Sequence, residues 1–302
     1  MHVKAGVVQA APVFFDIQKT LDKLEDLVVE SAQKGCQLIL FPESFIPGYP
    51  RKFTFGASIG LRTDAGRELY KIYWQNSLQL PSPELSRIEQ IAHDNNVYLA
   101  IGVTERDAVN GSLYCTLIYV SPTQGYLGKH QKIKPTGVER LVWAEGTGND
   151  SLRVFNTAIG RIGGLICWEN YMPLARLSMY QQAPHLYLAP TADARPTWSA
   201  TLQHIACEGR CYVLSSNQFV QRLDYSEAYQ EFLDESETVI CRGGSAIVSP
   251  QGEFIAGPLW DQEGILIADL DLDDVLKSKL DFDVIGHYTR PDLFAFNIRT
   301  SS

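Results

Sequence analysis

GGLICWENYMP, residues 163–173, is the stretch on which the fold reading turns. An apolar run, Gly164-Leu165-Ile166, stops abruptly at Cys167. Trp168, Glu169 and Asn170 follow, and Pro173 stands where a helix can begin. The pattern is that of a buried strand delivering a cysteine to a strand-to-helix junction. Glycines ahead of the thiol let another backbone approach closely. Backbone N–H groups point outward at such a junction, which is expected to lower the thiol pKa. A nucleophile suits that position. A buried structural cysteine is the commoner fate of a free thiol, so the stretch alone leaves both readings open.

Working outward, 161–167 reads as a strand, 174–182 as a helix and 185–189 as a strand ended by Pro190. A helix over 198–210 and a strand over 211–215 follow. The same alternation opens the chain. Residues 3–9 form an apolar strand, and Asp16 is placed to cap a helix. Ile17, Leu21, Leu24, Leu27 and Val28 recur at helical spacing until Gly35, and 37–41 is a second strand. Strand–helix–strand units imply a parallel or mixed sheet in an α/β fold. Between the two regions, helices are expected over 63–79 and 82–95, separated by Pro81 and Pro83. Strands over 97–104 and 112–120 flank an Asn110-Gly111 turn, and 121–125 is a second turn. Strands over 152–155, 243–249, 254–256 and 264–270 complete the sheet material. No Ser-, Gly- or Pro-rich linker divides the chain, so 1–302 reads as one domain of two similar halves. Its 271–302 segment is of mixed character with a polar tip.

The chain has 302 residues, 45% of them hydrophobic and 20% charged, which is enough for a substantial core. A net charge of −9 argues against nucleic acid or an anionic membrane as main partner. No apolar run reaches membrane-spanning length, and the start lacks the pattern of a signal peptide. The expectation is a cytoplasmic protein. Six cysteines in a chain this long do not read as a disulfide framework. Cys207 and Cys211 lie four apart and are expected to share a helix face, and His204 can meet Cys207 on one turn. A metal site needs three or four ligands, so packing is the better reading and no metal is expected.

Two further stretches carry chemistry-bearing side chains. The strand 37–41 runs directly into Pro42-Glu43-Ser44, and a carboxylate just past a strand's C-terminal end is well placed for chemistry in α/β folds. A solvated or helix-capping Glu43 is the bland alternative. The loop beyond, 45–60, is rich in Phe, Tyr, Pro and Gly and can line a pocket mouth. GKHQKIKP, 128–135, concentrates cationic groups in an acidic protein. A solvated face is the default reading of such a run. Alternation here places Lys132 on one face with His130 and Lys134, opposite Ile133.

Glu43, Lys132 and Cys167, in that order, resemble the nitrilase superfamily of carbon–nitrogen hydrolases. FPESFIPGYP, HQKIKPTGVERLVWAEG, GRIGGLICWENYMPLAR and AIVSPQGEFIAGP all look like that family's blocks, and they span nearly the whole chain. CWEN after the strand and VERLVW after the lysine resemble the true nitrilase branch. The resemblance implies a four-layer αββα sandwich, with a homodimer or larger homo-oligomer whose interface takes in 271–302. Many true nitrilases carry a longer C-terminal extension that supports spirals. This sequence stops soon after 288–292, which argues against long filaments.

The resemblance further implies a small-molecule nitrile and water as partners, with no organic cofactor. Cys167 attacks the nitrile carbon, Glu43 acts as base, and Lys132 with the backbone N–H of Trp168 stabilises charge on the substrate. Glu139 resembles the family's second glutamate, orienting Lys132 or the substrate. Candidate pocket walls are Tyr49, Phe53, Trp143, Trp168, Thr191 and Trp198, each of which can equally be core. Amide hydrolysis and cyanide hydration are rival reactions within the superfamily. A non-catalytic scaffold is a rival outside it, and papain-like or metal chemistry lacks suitable residue contexts.

Overall fold

Alternation along two short buried strands sets the layers. In Leu38–Leu40, the first and third side chains turn to one apolar cluster and Ile39 to another. Leu186–Leu188 repeats the pattern. Leu186 and Leu188 join the cluster that holds Leu38 and Leu40, while Tyr187 joins a third. The shared cluster therefore lies between two sheets, and the other two lie between each sheet and its helices. The order is α, β, β, α, as the sequence led one to expect. The computed structural model describes residues 1–147 and 151–298, so the polar tip at 299–302 lies outside the described residues.

The first sheet runs Gly264–Asp271, His2–Gln9, Leu38–Leu40, Tyr98–Arg106, Leu113–Ser121, Gly125–Gln131. The second runs Phe219–Gln221, Val239–Val248, Tyr212–Ser215, Leu186–Leu188, Gly160–Gly164, Phe155–Thr157. Each has three parallel strands at its centre and antiparallel strands outside them, apart from the short Leu78–Gln79, which pairs parallel with Tyr98–Arg106 in the first sheet. The C-terminal ends of those central strands deliver Glu43 in one sheet and Cys167 in the other.

Helix Ile17–Gln33 starts where Asp16 accepts a hydrogen bond from the Lys19 amide at 3.0 Å. It buries Leu21, Leu24 and Val28 against the first sheet, each worth about 1.5–3 kcal/mol. Helix Pro83–Asn95 lies beside it, capped by Ser82, with proline in the first turn. Pro173–Tyr180 and Thr197–Gly209 cover the second sheet.

Several boundaries differ from the sequence reading. The helix expected over 63–79 ends at Gln75, because Leu78–Gln79 leaves it to pair with Tyr98–Arg106. Cys211 shares no helix face with Cys207, since the helix stops at Gly209 and Arg210 turns left-handed. The strand Gly264–Asp271 returns to the first sheet and pairs antiparallel with all of His2–Gln9. Among the described residues, no helix is long and apolar enough to cross a membrane.

Candidate active site

The nucleophile candidate sits on a tight turn. Gly160–Gly164 passes within reach of Leu188 so closely that a side-chain Cβ on Gly164 would lie 1.8 Å from the Leu188 carbonyl oxygen. Cys167 follows with a φ of 52°, a region a non-glycine residue seldom occupies. Its amide donates to the Pro190 carbonyl at 2.8 Å. Asn170 locks the turn from below, its Nδ2 donating to the Leu165 and Cys167 carbonyls at 3.0 and 2.8 Å. The tyrosine hydroxyl of Tyr187 in turn donates to Asn170 Oδ1 at 2.8 Å.

Glu43 arrives from the other sheet. Gly102 permits this: a Cβ there would lie 2.1 Å from the Pro42 carbonyl oxygen and 2.7 Å from Glu43 Cα. Gln218 Nε2 pins the Glu43 carbonyl at 3.2 Å. Lys132 leaves the end of the strand Gly125–Gln131, and its amide donates to the Cys115 carbonyl at 2.8 Å.

These side chains meet between the sheets. Lys132 Nζ donates to Glu43 Oε1 at 2.6 Å and to Glu139 Oε2 at 2.8 Å, and its side chain is 0% exposed. Glu139 also accepts from the Tyr49 hydroxyl at 2.7 Å and the Thr136 amide at 2.6 Å. Cys115 Sγ lies 3.4 Å from Glu43 Oε1, whereas Glu43 Oε2 is buried without a partner among the described residues. Thr191 Oγ1 donates to Cys167 Sγ at 3.1 Å.

The electrostatics follow from burial. Desolvation pushes the Cys167 thiol up to about 12, with the Glu43 charge adding to it and Lys132 opposing. The expectation of a lowered thiol pKa is therefore corrected: donors at the turn are outweighed by exclusion of water. Burial raises Glu43 as well, against the pull of Lys132. Desolvation pulls the Lys132 pKa down, but the surrounding acids outweigh it and hold it well above the ordinary lysine value. The resting cluster is thus a neutral thiol beside a fixed ammonium and a carboxylate that holds protons more readily than usual. Moving the thiol proton to Glu43 leaves the net charge unchanged, which makes it the inexpensive route to a thiolate in a water-poor site.

Cys167 opens into a cleft of about 370 Å³ lined by Tyr49, Arg51, Glu139, Trp168 and Asp193. A neighbouring lobe of about 240 Å³ shares Tyr49, Arg51 and Glu139 and adds Phe53 and Trp143. Trp168 stands at the rim, its indole donating to Asp193 Oδ2 at 2.8 Å. Trp198 does not reach the cleft. It is buried in the helix layer, donating to Ser215 Oγ at 3.0 Å.

The basic run is not a solvated face. His130 and Lys132 are buried, while Lys134 turns away to an exposed ion pair with Glu145. The chain leaves its strand at Gln131, so alternation no longer governs Lys134. The sequence reading passed over Glu169. One of its oxygens accepts from the Ile133 amide at 2.5 Å, and the other from the Ile166 amide at 2.8 Å and His130 Nε2 at 2.9 Å. It therefore ties the lysine loop to the cysteine turn. Its place beside Cys167 was a signal, but two of its three partners, Ile133 and His130, lie more than thirty residues upstream. Among the described residues no group of three or more His, Cys, Asp or Glu side chains is arranged to hold a metal.

The carbon–nitrogen hydrolase family model matches residues 4–279. This chain belongs to the carbon–nitrogen hydrolase family. It is 46% identical to a bifunctional nitrilase/nitrile hydratase of Nicotiana tabacum over 98% of this chain and 86% of that protein. An aliphatic nitrilase of Sinorhizobium fredii is 48% identical over 96% of this chain and 94% of its own length. The crystal structure of a carbon–nitrogen hydrolase from Helicobacter pylori superposes with a TM-score of 0.75 at 18% identity, covering 97% of both chains. At that identity the superposition speaks for the fold, which in this carbon–nitrogen hydrolase is the αββα sandwich described above.

Proposed function

We propose that this chain hydrolyses nitriles to carboxylic acids and ammonia through a covalent bond to Cys167. Glu43 Oε2 takes the thiol proton as sulfur attacks the nitrile carbon. The nitrile nitrogen gains that proton and a thioimidate forms. Water then adds, giving its proton to Glu43, and the tetrahedral adduct expels ammonia to leave a thioester. A second water releases the acid and restores the thiol. Lys132 and the backbone N–H of Trp168 offset charge on the substrate nitrogen and later oxygen. Loss of one such fixed donor costs about 3–4 kcal/mol of transition-state stabilisation. Glu139 holds Lys132 in place and charged. Tyr49, Trp143, Trp168 and Thr191 are the proposed substrate contacts, with Thr191 also bonding the nucleophile.

The observation that carries this reading is the convergence of a buried cysteine, a fully buried lysine and a glutamate with one oxygen unpartnered among the described residues. The high identity to proteins named as nitrilases favours nitriles over amides as substrates. A panel of nitriles, amides and cyanide, scored for ammonia, acid and amide, tests it. Ammonia and acid from nitriles are expected. Turnover of amides alone, or cyanide converted only to formamide, assigns the chain to the rival reactions.

A homo-oligomer in the cytoplasm completes the proposal. It is supported by apolar side chains exposed in the C-terminal segment, Leu280 at 84% and Phe294 at 75% among them. Light scattering on the purified chain is expected to give at least a dimer. A monomer at micromolar concentration would remove that part.

A further inference from the structure

We propose that Gln218 is a positioning residue for the reaction: its side-chain amide, reaching across from the second half of the chain, sets where the Glu43 carboxylate stands relative to the Cys167 sulfur. This rests on the thiol chemistry proposed above and gives a role to a side chain that cannot itself carry the reaction's protons.

Gln218 follows the strand Tyr212–Ser215 and is buried. Its Nε2 donates to the Glu43 carbonyl at 3.2 Å and to the Ser44 carbonyl at 3.4 Å. Both partners are acceptors, so the amide must present its NH₂ group here. Among the described residues no other protein donor reaches either carbonyl. Ser44 has a φ of 48°, a left-handed conformation that a serine seldom takes and that its surroundings must hold. The Glu43 carboxylate is tethered at its far end, where Oε1 accepts from Lys132 Nζ at 2.6 Å. Gln218 tethers the backbone end. Held at both ends, the side chain has little freedom left in where Oε2 points.

The segment that carries Gln218 is itself bonded to the nucleophile's side of the site. The Thr191 amide donates to the Ser216 carbonyl at 2.9 Å. Asn217 Nδ2 donates to the Asp193 carbonyl at 3.1 Å and to the Gly243 carbonyl at 2.8 Å. Asn217 Oδ1 accepts from the Gln218 amide at 2.8 Å. The Thr191 hydroxyl completes the run by donating to Cys167 Sγ at 3.1 Å. A short series of hydrogen bonds thus leads from the Glu43 backbone through 216–218 to the sulfur, without passing through Lys132. Base and nucleophile ride on different sheets, so their separation needs such a spacer. A displacement of about 1 Å can cost about 10²-fold in rate.

The test is a double-mutant cycle on the full chain, read by alkylation of Cys167 with iodoacetamide and by ammonia release from a nitrile. Alkylation reports how readily the thiol loses its proton and needs no substrate. Gln218→Met keeps the length and removes the donors. At neutral pH it should lower both the alkylation rate and kcat by about 10- to 10²-fold, with KM within about twofold of wild type. In a Glu43→Gln background the same substitution should change the alkylation rate by less than about twofold, because the group it positions is already gone. Gln218→Asn, which draws the amide back by one methylene, should fall between wild type and Gln218→Met, and it replaces the latter in the cycle if that variant does not fold. Equal losses in the two backgrounds would make Gln218 purely structural and overturn this inference, as would an unchanged alkylation rate in folded Gln218→Met. If the cycle behaves as expected and the wild type turns over no nitrile, the nitrile reading falls and the positioning role stands.

Discussion

A thiol that sits near pKa 12 is a poor nucleophile until a neighbour removes its proton. The residue that can do so is Glu43, whose Oε2 is buried and has no partner among the described residues. Two variants separate the roles. Cys167→Ala loses the sulfur that forms the adduct, so kcat should fall at least about 10⁴-fold. Its far-ultraviolet circular dichroism should match wild type, and near-normal turnover would end the assignment. Glu43→Gln keeps sulfur but cannot accept protons in three successive steps, so kcat should fall about 10²- to 10⁴-fold. Intact mass after incubation with a nitrile should then show the protein plus one substrate mass. Free protein together with full turnover would take Glu43 out of the chemistry.

The sign of the pH dependence follows from the same group. Glu43 must be ionised to act, and burial raises its pKa. Activity is therefore lost as pH falls through that raised value, at higher pH than for an exposed glutamate near 4.5. Lys132 lies well above the ordinary lysine value and adds no alkaline limb near neutrality. A profile of kcat/KM from about pH 4 to about pH 9 checks this; an acid limb at or below the ordinary glutamate value contradicts it. At this scale the sequence was informative about which residues converge. It misjudged the thiol, because residue types reveal nearby donors but not how completely a folded site excludes water.

Elements were legible where their periodicity was strong. Ile17–Gln33 was read from its apolar spacing and its Asp16 cap. The strands Leu38–Leu40 and Leu186–Leu188 are buried on both faces, so they read as apolar runs without a face assignment. The two-residue strand Leu78–Gln79 and the short Phe219–Gln221 have no readable period and owe their state to partners elsewhere. The connection between the lysine loop and the cysteine turn was invisible for the same reason. Glu169 accepts from both loop amides and from His130. His130 is bonded at its other ring nitrogen to the Ser151 carbonyl, at 3.0 Å. Both ring nitrogens thus face acceptors, which describes an imidazolium. Burial alone would lower its pKa, but the Glu169 carboxylate reverses that and leaves it raised. Glu169→Gln breaks a buried charged pair and sets an amide NH₂ against donors. Stability should drop by about 3–5 kcal/mol in urea denaturation. The loosened loops should also lower kcat more than they raise KM. Unchanged stability with unchanged kcat would show that the two loops are held independently.

At the scale of the whole molecule, the question is whether two similar halves behave as two domains. The chain answers with a crossing. Gly264–Asp271, which follows the second sheet in sequence, pairs with every residue of His2–Gln9 in the first. The cluster between the sheets draws Val7, Leu40 and Leu117 from one and Ile162, Leu188 and Leu214 from the other. Each half keeps the cluster under its own helices, but the cluster between the sheets opens when either half unfolds, and Glu43 and Cys167 would part at the same moment. Unfolding should therefore be one transition, although chains of this length often populate intermediates. Hydrogen exchange measured by mass spectrometry tests this directly. Peptides covering His2–Gln9 and those covering Leu186–Leu188 should open with the same free energy and the same denaturant dependence, and enzyme activity should vanish along that curve. If the peptides of one sheet exchange through a separate opening while those of the other stay protected, the halves are independent. The active site would then be an interface between domains rather than the interior of one.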